Sequence, residues 1–326
     1  MRRPVLLCLL AGALGLGLLA GCGSGGNQAS TPAPPPSARP EDFPTARGKA
    51  TLGDLIQGLR QGPALAPSVS ILRVGPHNRF GFALFDQGRK QINGATVALY
   101  TASAQQTDVR GPFPARSESL AVSPAFQSKT SSQDPDSAKS VYVADVPVDK
   151  PGRHVLIALA RLDGRLVASS AIAFAVAPSG GPPAAGQRAI KVDTPTRRDV
   201  RDISEIDTRI PPGTMHDASL ADVLGRKPVV ITFATPALCK SRVCGPIVDE
   251  LEQLKARYGS RAEFIHMEVY NQNRIERGYR PQFRAWRLPS EPWTFVIDRR
   301  GIVTAAFEGA ASTGEMARAI DRATAP

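Results

Sequence analysis

The sequence predicts two globular units in series, an all-β sandwich followed by an α/β domain, behind an N-terminal targeting segment. Three observations carry that reading. The chain has 326 residues, more than one typical domain holds. Apolar residues alternate with period two from Val69 to Val176. From Arg188 onward the pattern changes to continuous apolar runs interleaved with helical repeats.

The N-terminus reads as an export signal over residues 1–21. Arg2 and Arg3 give it a positive start, and Val5 to Leu19 is an apolar stretch too short to be a comfortable membrane span. Leu19-Ala20-Gly21-Cys22 resembles the lipobox of bacterial lipoproteins. That resemblance implies acylation of Cys22 and a lipid anchor on the outer face of the cytoplasmic membrane. Residues 22–48, rich in Pro, Gly, Ser and Ala, have no apolar periodicity and read as a tether. Loss of Arg2 and Arg3 with the leader lowers the formal charge of +11 to +9. The arginines are spread along the chain rather than clustered with aromatics, which argues against a nucleic-acid partner and suits anionic lipid headgroups.

Residues 49–178 form the expected β region. Its strand signals are Phe80, Phe82 and Leu84; Val97 and Leu99; Val141 and Val143; Val155, Ile157 and Leu159; and Ile172, Phe174 and Val176. Turn signals at Gly75-Pro76, Asn93-Gly94, Lys150-Pro151-Gly152 and Asp163-Gly164 separate them, and no long helical pattern intervenes. The pattern points to an immunoglobulin-like sandwich. A short helix over Leu52 to Leu59 precedes it, and the Ser-, Pro- and Gln-rich stretch from Gly111 to Ser140 reads as a long loop or edge excursion. Ser179-Gly180-Gly181-Pro182-Pro183 opens a linker over residues 179–187.

In residues 188–326, Val229 to Phe233 has the length and composition of a buried central strand. Ile247, Leu251, Leu254 and Tyr258 then recur at helical spacing opposite a polar row of Asp249, Glu250, Glu252 and Gln253. Phe264 to Val269 is the next strand, and Trp293 to Ile297 and Ile302 to Phe307 form a hairpin across Asp298-Arg299-Arg300-Gly301. Ser312 and Glu315 make a capping-box signature for a last helix. This is the thioredoxin order of elements.

Of four cysteines, Cys8 leaves with the leader and Cys22 takes the lipid, so Cys239 and Cys244 have only each other in a compartment that permits disulfides. Residues five apart in a regular helix are separated by roughly 8–9 Å between Cα atoms. A disulfide needs less than about 7 Å. An oxidised pair therefore requires Cys239 in the loop ahead of the helix.

The stretch Ile231 to Cys239, with Pro292-Trp293-Thr294-Phe295-Val296-Ile297-Asp298, resembles the membrane-anchored thioredoxin-like proteins of the TlpA type. The resemblance implies thiol-disulfide exchange with envelope proteins and no cofactor. It makes Cys239 the attacking sulfur, Cys244 the resolving one and Pro292 a cis proline bordering the partner groove, with Glu291 and Trp293 beside it. Glu291 would oppose thiolate formation, whereas Lys240 and Arg242 would favour it. The four-residue spacing departs from that family's usual two. It is similar to peroxiredoxin Q, but Pro236 and Pro292 stand where those peroxidases carry a threonine and an arginine. A Sco-type copper role would need a histidine beside the pair, and His77, His154, His216 and His266 show no metal-ligand spacing. A static disulfide in a scaffold or binding protein is the remaining reading.

Overall fold

Alternating apolar residues give each strand of the first half a face to bury, and the computed structural model shows what covers it. The structure describes residues 37–47, 50–177, 180–239 and 242–325. The leader and Cys22 lie outside the described residues, as do most of the tether and Lys240. Among the described residues no helix is long and apolar enough to cross a membrane.

Helix α1 (Leu52–Ile56) opens on a capping box in which Thr51 and Asp54 each satisfy the other's backbone N–H. The strands that follow are β1 (Arg60–Gln61), β2 (Ala64–Pro67), β3 (Leu72–Arg73), β4 (Arg79–Phe85), β5 (Gln91–Ile92), β6 (Thr96–Ser103) and β7 (Arg110–Ser119). After an excursion that carries α2 (Lys129–Gln133) come β8 (Ser140–Asp145), β9 (Gly152–Leu162), β10 (Arg165–Ala168) and β11 (Ile172–Ala177).

Two stacked sheets do not form. All eleven strands join one curled sheet, in which β9 pairs with β6 along one edge and with β10 and β11 along the other. The immunoglobulin-like expectation fails because a sandwich and a curled sheet impose the same alternation. Val97, Leu99, Tyr142 and Ala144 face one core. Their neighbours on the other face, Ala98, Tyr100 and Ala102, pack beneath Phe43, Leu52 and Leu55.

A second correction concerns Gly111 to Ser140. Its first third is a central strand, β7, held between β6 and β8. Pro112 and Pro114 hid it, since proline normally argues against a central strand. Pro112 falls at an irregularity opposite Leu99 to Thr101, with a cis Gly111–Pro112 bond, while Pro114 stands in register opposite Ala98.

The second half contains α3 (Leu220–Val223), β12 (Val229–Phe233), α4 (Cys244–Tyr258), β13 (Glu263–Met267), α5 (Pro281–Ala285), β14 (Trp293–Ile297), β15 (Val303–Glu308) and α6 (Thr313–Ala323). The strand order is β13-β12-β14-β15, with β12 parallel to β13 and antiparallel to β14. This is the thioredoxin-like arrangement. Val230, Phe264 and Val296 face α4 and α6, while Ile231, Phe233, Ile265 and Phe295 face Phe283 and Trp286 around α5. Both faces are covered, hence the continuous apolar run at Val229 to Phe233. Ser312 and Glu315 form the expected capping box of α6.

Both halves belong to one compact unit, Pro35–Pro326. Most of the polar row of α4 is buried: Asp249, Glu250 and Glu252 are at most 8% exposed. The excursion after β7 covers Asp249, and Thr214 binds Glu252. Ser128 donates its N–H and hydroxyl to Asp249 Oδ2 at 3.0 and 3.1 Å, and Arg209 Nε donates to Oδ1 at 2.9 Å. Burial, with Glu315 and Asp249 nearby, pushes the Glu250 carboxyl well above its usual range.

Further along the joint, Arg79 grips Glu315 in a two-pronged pair at 3.0 and 2.7 Å, and Arg116 adds a contact at 2.6 Å. Gly309, at φ +71°, passes so close to Ser68 that any side chain there would strike the Ser68 carbonyl.

Candidate redox site at the cysteine pair

Strand β12 delivers the chain to the site through Ala234, Thr235 and Pro236, all buried. Cys239 follows in the loop and Cys244 is the first residue of α4. Their sulfurs are bonded, with the Cα atoms 5.9 Å apart. That is the non-helical geometry the spacing demanded. Arg242, at φ +58°, turns the chain between them. The two sulfurs differ in access: Cys244 is fully buried in the core under α4, whereas Cys239 is half-buried at its margin.

Beneath the pair lies Glu291. Its Oε2 accepts the Thr235 N–H at 2.7 Å and stands 3.8 Å from Cys244 Sγ. Burial pushes this carboxyl up to about 7, against the opposing pull of the hydrogen bonds from Thr235 and Tyr270. Tyr270 is pushed up to about 12 by burial and by Glu291. The Glu291–Pro292 bond is cis, as the resemblance implied. The Pro292 carbonyl accepts the Gly309 N–H at 2.9 Å, which ties it to the joint between the halves. Trp293 turns inward, 7% exposed, stacked on Phe295 with its indole N–H donated to Ser290 Oγ at 3.2 Å.

Above the pair sits the excursion from the first half, which sequence reasoning missed as part of the site. Arg242 pairs with Asp136 and, at 3.9 Å, with Asp134. Val243 packs with Leu120, Val141, Val143 and Ala310. Gly245 approaches Ser131 so closely that a Cβ would lie 2.8 Å from its hydroxyl. No local signal foretells this, because the contacting segments are more than a hundred residues apart.

Among the described residues the one cluster with metal-ligating geometry contains no cysteine: Asp207, His216 and His266. His77 and His154 stand apart on the β sheet half.

No protein-family model and no curated protein matches the chain. Among solved structures, the chain is similar to one described as a thiol:disulfide interchange protein of the thioredoxin family from Chlorobium tepidum TLS. The identity is 16% and the TM-score 0.28, covering 46% of this chain and 100% of that one.

Proposed function

We propose that the protein is a thiol-disulfide oxidoreductase that works through Cys239 and Cys244. The observation that carries this is the asymmetry of the pair: a half-buried Cys239 bonded to a buried Cys244 whose sulfur faces a carboxyl that titrates near neutrality. In the reductive direction a partner thiolate attacks Cys239 Sγ, forming an intermolecular disulfide, while Cys244 departs as a thiolate and takes a proton from Glu291. A second thiolate of the partner then attacks its own sulfur in that mixed disulfide and releases Cys239. The partner ends oxidised by two electrons and the pair reduced. The reverse sequence oxidises the pair and reduces a partner disulfide. Pro292, beside Glu291, borders the groove for the partner chain.

The lipobox-like sequence at Cys22 supports export and attachment to the outer face of the cytoplasmic membrane, with envelope proteins as partners. Replacing Cys22 with Ser should release the protein from the membrane fraction.

A static disulfide is the second reading, favoured by the cover that Ser131 and Val243 help to form. Equilibration of the intact protein in graded thiol buffers separates the two. A reduction potential between roughly −120 and −270 mV marks a working pair, whereas a value well below about −300 mV marks a structural one. Cys244→Ser should also accumulate mixed disulfides with envelope proteins. Recovering none would sink the exchange reading.

A further inference from the structure

We propose that Asp207, His216 and His266 form a binding site for a divalent transition-metal ion of the zinc class, separate from the cysteine pair. The three residues come from different segments. Asp207 follows a short 3-10 turn at Ile203–Glu205, His216 lies in the segment whose Met215 carbonyl accepts the His266 N–H at 2.9 Å, and His266 is in β13. Each is about 1% exposed, so whatever neutralises this group must come from inside the protein or be an ion.

The tautomer of His266 is fixed by its neighbour. Its Nε2 lies 2.9 Å from the Ala234 carbonyl, which can only accept, so Nε2 carries the hydrogen. In the neutral ring its Nδ1 is then a bare lone pair; in either state that atom is buried and without a hydrogen-bond partner, 3.7 Å from Asp207 Oδ1. A lone pair facing a carboxylate in a dry site is repulsive unless positive charge lies between them. A proton on Nδ1 would supply charge but no hydrogen bond across 3.7 Å. A metal ion would bridge the two atoms.

The spacing suits one. His216 Nε2 is 3.0 Å from Asp207 Oδ2, and one donor atom from each residue lies within 4.8 Å of the others. Ligands at about 2.0–2.1 Å from a tetrahedral zinc ion sit about 3.3 Å apart, so small side-chain shifts suffice. The supporting contacts are those that metal ligands carry. His266 gives its other ring nitrogen to a backbone carbonyl, and Asp207 accepts the N–H groups of Arg209 at 2.8 Å and Gly213 at 2.6 Å. Two imidazoles and one carboxylate select zinc or its transition-metal neighbours over calcium and magnesium, and leave a fourth position for water.

The test uses the intact protein with its disulfide oxidised, shown by the absence of free thiols, so that Cys239 and Cys244 cannot contribute. After removal of metal with a chelator, zinc is titrated against a chromogenic competitor and cobalt(II) is added to a parallel sample. One equivalent should bind, and cobalt should give visible absorption without a thiolate charge-transfer band. His266→Gln and Asp207→Asn should each weaken binding by more than the roughly 10–100-fold that loss of an outer-shell partner costs. His77→Gln should leave it unchanged.

If the ligand variants fail to fold, the wild-type protein decides the question by its histidine ring resonances. The chain has four histidines. Zinc should move the signals of His216 and His266 and spare those of His77 and His154. No uptake by the oxidised protein, unchanged affinity in His266→Gln, or movement of the His77 and His154 signals instead would overturn the proposal.

Discussion

Two of the places where the excursion after β7 is fastened to the cysteine-bearing segment differ in almost every physical respect. At Ser128 the anchor is dry: Asp249 is 1% exposed, accepts three hydrogen bonds and balances the buried Arg209. At Asp134 and Asp136 it is wet, with Arg242 and Asp136 both well exposed. A buried charge that loses its partner is stranded at a cost of several kcal/mol, whereas an exposed one finds water. The first anchor is therefore the one whose loss strands a buried charge, and the second the one whose loss costs little.

The largest effect should come from the dry anchor. Asp249→Ala leaves Arg209 Nε and the Ser128 N–H without their acceptor and the buried guanidinium without its counter-charge, and should cost about 3–5 kcal/mol in urea unfolding. Loss of less than about 1 kcal/mol would mean that water reaches the site and that the contrast between the anchors is false.

Beneath the disulfide, Glu291→Gln removes the proton donor rather than an anchor. In the wild type the carboxyl titrates near 7, so it is protonated below that pH and able to supply the departing Cys244 thiolate. The rate of disulfide reduction by a small dithiol, normalised to its thiolate fraction, should fall as pH rises through about 7. In the variant it should be independent of pH and lower by about 100-fold at pH 6, the low end of what a positioned acid contributes. A persisting inflexion near neutrality would assign the titration to another group.

At the joint itself, Glu315→Gln should cost about 2 kcal/mol, since it breaks a two-pronged bond to the largely buried Arg79. Burial works to raise the Glu315 carboxyl, but Arg79 and Arg116 outweigh it and hold it below its usual range. A depressed folded-state value stabilises above the unfolded carboxylate range and is lost as pH falls through the folded value. The wild type should therefore lose stability in acid where the variant, already weakened, does not.

The two halves were not equally legible in the sequence. Val229 to Phe233, the Asp298 to Gly301 hairpin and the Ser312/Glu315 capping box each carry local chemistry that specifies one structure, and each formed. So did the requirement that Cys239 precede the helix. The alternation in the first half was equally clear, yet period two says only that one face is buried, not whether another sheet or the same sheet curling round buries it. The burial of Asp249, Glu250 and Glu252 is illegible for a related reason. Amphipathicity marks a polar face, and the partners that bury it, Ser128 and Arg209, arrive from distant segments without a pattern of their own. Asp207, His216 and His266 share that illegibility, since no spacing motif joins them.

The smallest expected effect is the most informative about the wet anchor. Arg242→Ala removes an exposed ion pair, so global stability should change by no more than about 1 kcal/mol. Yet Arg242 lies between the two cysteines, and Asp134 and Asp136 pull it toward the first half, over the loop that carries Cys239. If that contact gates access, releasing up to about 1 kcal/mol raises the open population by up to roughly fivefold. Disulfide reduction should accelerate by the same factor while the urea midpoint barely moves. Added salt should speed the wild type toward the variant and leave the variant unchanged, because an exposed pair is screened and a missing one is not. Equal rates at low salt would show that the loop over the disulfide is held by Val243 and Gly245 packing alone, and that the second anchor has no hold on access.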